Sequence, residues 1–127
     1  MFEISVEHVF AAAHALIVGG VREPLHGHNW EVTAVIAGAT LDADGLLCDF
    51  HTVHDTLVEI VDPFHNRSLN DLPPFTTLNP TAENVARHIA DELAARLDAA
   101  LAPHARVDRV RVTEAPGCAA TFIRPRA

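Results

Sequence analysis

Apolar and polar positions alternate from residue 2 to about residue 12, with Phe2, Ile4 and Val6 on one side and Glu3, Ser5 and Glu7 on the other. A period of two with one apolar face is the pattern of a strand buried on one side. The run NWEVTAVIAG, ending near Gly38, repeats the pattern and predicts a second strand. Between them, Ile17 to Pro24 carries Gly19, Gly20 and a proline, so it reads as the loop joining the two arms of a long hairpin. The turn-rich ATLDADG then leads into GLLCDF, a short apolar run expected to be extended. From His51 to Phe64 the period changes: Val53, Leu57, Ile60 and Val61 recur at helical spacing, with Pro63 near the end. The stretch HNRSLNDLPPFTTLNP is dense in Asn, Pro and Ser and reads as irregular, and a structureless segment of that length in a small domain is often functional. Thr81 then opens an amphipathic helix carried by Val85, Ile89, Leu93 and Leu97 to about Leu101, where APHAR breaks it. Val107 to Thr113 alternates cleanly, and Cys118 to Ile123 less cleanly after the turn APG, which predicts a second hairpin. The order ββααββ predicts an α+β fold, a four-stranded antiparallel sheet with both helices on one face. Such a sheet leaves its edges unpaired. Pairing them with neighbouring subunits until the sheet closes removes them, so a cyclic oligomer is expected.

Composition narrows the classes. A chain of 127 residues fits one domain, 1–127, with a core that buries about two-thirds of the unfolded surface. The formal net charge is −8, with nine arginines and no lysine, which argues against nucleic-acid or anionic-membrane partners. An anionic substrate would need local cations or a metal. The opening MFEISVEHVF lacks the basic residues and continuous apolar run of a signal peptide, and no apolar stretch approaches membrane-spanning length, so a soluble cytoplasmic protein is expected. Cys48 and Cys118 lack CxxC spacing, and in a reducing compartment they read as buried free thiols in preference to a disulfide.

Candidate chemistry gathers at EPLHGHNW, residues 23 to 30. His26 and His28 stand two apart at the mouth of the second strand, so their imidazoles point to one face. Antiparallel pairing of the first strand with the second brings His14, in FAAAHAL, beside them. Three neutral imidazoles with an open fourth position are the ligand set of a catalytic zinc site. Taken alone the HGH pair is weak evidence, and a turn with exposed polar imidazoles is the plainer reading.

Six segments together resemble the 6-pyruvoyl-tetrahydropterin and 6-carboxytetrahydropterin synthase family of the tunnelling fold. They are FAAAH at 10–14, LHGHNW at 25–30, GLLCDF at 45–50, SLND at 68–71, NPTAENVA at 79–86 and VTEAPGCAATF at 112–122, in the family's order and spread over nearly the whole chain. The resemblance implies Zn2+ held by His14, His26 and His28, a pterin anchored by Glu114 with Thr113 beside it, and a homohexamer of two stacked trimers whose sheets join into a barrel. The chemistry of Glu114 agrees: a pterin offers its exocyclic amino and ring N–H groups as two parallel donors, and a carboxylate offers two matched acceptors. Asp49 is expected in a turn, or holding a histidine tautomer.

Two departures from the family pattern bear on the activity. The catalytic cysteine usual in the family would fall at position 22, which is Arg22; this chain carries Glu23 in the spacing E-x-x-H-G-H and resembles the subgroup in which glutamate replaces the cysteine. The family's Asp-His pair aligns with His65 and Asn66, so that relay is incomplete, with His65 left as a possible second proton carrier. The resemblance thus implies a zinc-dependent lyase acting on the side chain of 7,8-dihydroneopterin triphosphate. Cysteine-bearing relatives yield 6-pyruvoyl- or 6-carboxytetrahydropterin. The glutamate subgroup is associated with carbon–carbon cleavage to 6-hydroxymethyl-7,8-dihydropterin, the favoured product class here. The competing expectation is a zinc- and pterin-binding oligomer with little catalysis.

Overall fold

The computed structural model describes residues 1–126. The chain runs β1 (Phe2–His14), β2 (Ile17–Val18), β3 (Val21–Arg22), β4 (His26–Gly38), α1 (Phe50–Val61), β5 (Arg67–Ser68), α2 (Ala82–Leu101), β6 (Ala105–Ala115) and β7 (Cys118–Ile123), with single 3-10 turns at Asp62–Phe64 and Leu69–Asp71. The predicted four strands form an antiparallel meander, β1–β4–β6–β7. Both helices cover one face of it. Strand alternation puts Val6, Phe10, Trp30, Val32, Ala34, Ile36, Val110 and Val112 on that face. All are buried, against Val53, Leu57 and Ile60 of α1 and Val85, Ile89, Leu93 and Leu97 of α2. Each large apolar side chain fully buried there contributes about 1.5–3 kcal/mol. Trp30 is the largest, stacked on Phe10 at 6.1 Å between ring centroids, with its indole N–H donating to the Ala12 carbonyl at 3.1 Å.

Three expectations need correction. The sheet has a fifth strand, because Arg67 and Ser68 of the stretch read as irregular run parallel to Ala12 and Ala13. Asn66, with φ of 61°, turns the chain into that position, and its N–H donates to the Ala11 carbonyl. Two residues are too few to leave a periodic signal. GLLCDF is not a strand: the Asp42 carboxylate accepts from the N–H groups of Asp44 and Leu46, Leu47 enters the core, and Asp49 caps α1 by accepting from His51 N–H at 2.9 Å. Both cysteines are free, but Cys48 is only half-buried and Cys118 is exposed at the start of β7.

The second helix begins where expected, with the Thr81 hydroxyl accepting from Asn84 N–H at 3.1 Å. No helix among the described residues is long and apolar enough to cross a membrane. For function, the decisive register is at the far end of the long hairpin. There His14 lies directly opposite His26. The connection between them folds back as the β2–β3 hairpin, turned by Gly19 and Gly20 at φ of 59° and 79°.

Candidate metal centre

His14 faces His26 across the β1–β4 ladder, and His28 lies one strand period further along β4, so all three imidazoles share the helix-covered side of the sheet. Their ring centroids are 4.7 Å (His14–His26), 5.1 Å (His14–His28) and 4.8 Å (His26–His28) apart. Glu114, near the end of β6, brings its carboxylate to the same point. Its Oε1 lies 2.8 Å from His14 Nε2 and 3.4 Å from His28 Nε2. One ligand atom from each of the four residues lies within 4.8 Å of the others.

The hydrogen bonds around the cluster decide which nitrogens are bare. His14 Nδ1 lies 2.8 Å from the Pro80 carbonyl and His26 Nδ1 lies 3.0 Å from the Pro24 carbonyl. A carbonyl only accepts, so each Nδ1 carries the hydrogen and each Nε2 keeps a lone pair. His14 Nε2 and His28 Nε2 are buried without a hydrogen-bond partner. The short approach of Glu114 to His14 Nε2 does not contradict this, since proximity without hydrogen-bond geometry satisfies neither atom. The lone pair of His14 Nε2 and the Glu114 oxygen 2.8 Å from it repel unless a cation stands beside them. Burial depresses the His28 pKa, opposed by Glu114 and reinforced by His14 and His26. The neutral imidazole, the form a metal ion binds, is thereby favoured. The three imidazoles fit a divalent zinc-like ion, with the Glu114 carboxylate standing beside them.

Glu23 is delivered beside the cluster by the β2–β3 hairpin. Its N–H donates to the Leu16 carbonyl at 2.9 Å, its Oε1 accepts from Leu16 N–H at 3.0 Å, and the same oxygen lies 3.7 Å from His26 Nδ1. His65 stands elsewhere. Its Nδ1 accepts from Ala11 N–H at 3.1 Å on the outer edge of β1, and His14 lies three residue steps along the strand from Ala11, about 10 Å of rise. Thr113 pairs with Glu31 in the β4–β6 ladder, and alternation turns its side chain to the face without helices, away from Glu114. A cavity of about 620 Å³ lies at the opposite end of the sheet among Gly38, Pro103 and Arg124. It has no part in this chemistry. An open cavity of about 540 Å³, lined by Glu83, Glu114 and Cys118, adjoins the histidine end.

The backbone carbonyls of Pro24 and Pro80 were invisible in the sequence, since they act through atoms every residue possesses. The proline following Asn79 marked only a helix start.

The chain matches the description 6-pyruvoyl tetrahydropterin synthase over residues 3–125, a span that takes in both helices and every strand of the sheet. It belongs to the 6-pyruvoyl tetrahydropterin synthase family. Among solved structures, it is similar to the 6-pyruvoyl tetrahydropterin synthase of Caenorhabditis elegans, at 22% identity over 98% of both chains with a TM-score of 0.79. It is likewise similar to the synthase of Plasmodium vivax, at 20% identity over 97% of both chains with a TM-score of 0.77. A variant of the latter enzyme with a catalytic glutamate replaced by alanine matches at 19% identity over 97% of both chains, with a TM-score of 0.73. At such identities the likeness carries the fold alone. Comparison with curated proteins finds no match. In this synthase fold, the histidine–glutamate cluster lies at one end of the sheet, where the long hairpin closes.

Proposed function

We propose that this synthase-family chain is a zinc-dependent lyase that cleaves the side chain of 7,8-dihydroneopterin triphosphate to give 6-hydroxymethyl-7,8-dihydropterin. The observation that carries the reading is the cluster of His14, His26 and His28, in which His14 Nε2 and His28 Nε2 are buried without a hydrogen-bond partner, with Glu23 beside it. A zinc ion held there would supply Lewis acidity to the hydroxyls of the substrate side chain. Glu114 lines a cavity of a size to take a bicyclic pterin, and its carboxylate would read the ring's paired N–H donors. Glu23 would take the proton from the side-chain hydroxyl. The deprotonated oxygen would form a carbonyl as the adjacent carbon–carbon bond breaks, so that its carbon leaves as the aldehyde of a two-carbon triphosphate fragment. The electron pair passes to the carbon attached to the ring, and a proton returned to that carbon gives the hydroxymethyl group. The Plasmodium vivax synthase likewise has a catalytic glutamate, which supports a catalytic part for Glu23. The Thr113 side chain turns to the face without helices, so the ring contact is proposed for Glu114.

One observation favours the competing reading of a zinc- and pterin-binding oligomer with little catalysis. The His65 Nδ1 is occupied by Ala11 N–H and lies outside the cluster, so within one chain only Glu23 is left to carry protons. Incubating the zinc-loaded protein with 7,8-dihydroneopterin triphosphate and separating the pterins by chromatography tests both. The lyase reading expects 6-hydroxymethyl-7,8-dihydropterin. Recovery of unaltered substrate, bound but not converted, would establish the binding protein instead, and 6-pyruvoyl- or 6-carboxytetrahydropterin would overturn the product assignment.

A further inference from the structure

Three consecutive peptide units follow His14, and a different side chain grips each. Ala15 N–H donates to Asn70 Oδ1 at 2.8 Å while the Ala15 carbonyl accepts from Asn70 Nδ2 at 2.9 Å. Leu16 is held in the same way by the carboxylate and N–H of Glu23. Ile17 N–H donates to Asn79 Oδ1 at 3.0 Å, and its carbonyl accepts from Asn79 Nδ2 at 2.9 Å. A primary amide that takes both the N–H and the C=O of one residue reproduces the two bonds a neighbouring strand would make. Asn70 and Asn79 therefore stand in for a neighbouring strand just past β1, on Ala15 and on Ile17 of β2. Their geometry is not shared by a carboxylate or an alkyl group, because only an amide both donates and accepts.

The grip reaches the histidine centre by two routes. Asn70 fixes the residue bonded to His14. Asn79 is itself fixed, its carbonyl accepting from Asn84 Nδ2 at 2.9 Å, and the next residue, Pro80, takes the His14 Nδ1 hydrogen. One short segment thus holds the backbone after His14 and the ring of His14 together. We infer that Asn70 and Asn79 are positioning residues of the metal centre, which aim His14 Nε2 by holding the peptide units that follow it. The inference rests on the metal reading of the cluster, and it assigns a job to two residues that touch neither metal nor substrate.

The test is zinc affinity, measured by competition with a chromophoric chelator on metal-free parent, Asn70→Ala and Asn79→Ala proteins that retain the parent's circular dichroism. Groups bonded directly to a metal ligand are worth about 10–100-fold in affinity, and because Asn70 and Asn79 act through the peptide units after His14, a loss of about tenfold is expected in each alanine variant. Asn79→Asp keeps the acceptor for Ile17 N–H and the shape of the side chain, and should recover part of the loss. It also serves if the alanine variants fail to fold. A purely structural role would lower the thermal midpoint yet leave the affinity of the folded protein within about threefold of the parent. That outcome overturns the inference and leaves the proposed function standing. A parent that binds no zinc overturns both.

Discussion

Glu23 carries two tasks on one carboxylate: Oε1 holds Leu16 N–H and lies 3.7 Å from His26, while the proposed chemistry needs a proton acceptor. Glu23→Gln separates them, because the amide oxygen still accepts from Leu16 N–H. Turnover should fall by about 10²- to 10⁴-fold, the usual worth of a general base. Zinc content should be unchanged. Turnover within about threefold of the parent would mark Glu23 as a clasp of the hairpin only. His88 gives a test unconnected with the site. It packs edge-on to Phe64 and Phe75, at 5.9 and 5.5 Å between centroids, and burial depresses its pKa below the ordinary 6.5, against the opposing pull of Glu92 and Asp91. Above pH 6.5 folded and unfolded chains both hold it neutral, and it adds no pH dependence. Below that value the unfolded chain takes the proton first, so stability falls until the folded-state pKa is passed as well. His88→Leu should therefore shrink the drop in urea midpoint between pH 7 and pH 5; an unchanged drop would remove His88 from the account. The histidine pair was legible because a spacing of two on a strand is a statement about direction. The place of His65, reached by counting back from Leu69 and Asn70, was not legible, since counting does not reveal the left-handed turn at Asn66 that sets the chain against the outer edge of β1.

At the scale of elements, the long strands and both helices could be read from period alone, because each buries one face. What could not be read joins residues far apart in sequence: Asn70 with Ala15, Asn79 with Ile17, and Pro80 with His14. Such contacts leave no periodic trace. The end of β4 provides a stability test. Gly38 lies against the backbone of His104 and Ala105, and a Cβ there would collide with the His104 carbonyl and with Leu47. Because the obstacle is backbone, the clash is relieved only by shifting β4 from β6. Gly38→Ala should cost about 1–3 kcal/mol in urea unfolding. A change below about 0.5 kcal/mol would show that this end of the sheet gives way freely.

At the scale of the molecule, the sheet has two open edges, the outer side of β7 and most of the outer side of β1, since β5 covers only Ala12 and Ala13. The face without helices is polar, with Glu3 and Arg109 joined by two bonds of 2.8 and 3.0 Å. Edges of that length in a single chain invite pairing, and a ring of subunits ends the pairing without open growth. Sedimentation at micromolar concentration should show a closed assembly, with six chains the proposed number. A monomer would mean that the sheet protects its own edges.

The central claim is that the His14, His26 and His28 cluster is a metal site on which the reaction depends. Its most direct measurement is turnover of 7,8-dihydroneopterin triphosphate by protein stripped of metal with a chelator and then reconstituted. Activity should be lost with the metal and restored by one equivalent of Zn2+ per chain. Undiminished turnover by protein shown to hold no metal would contradict it.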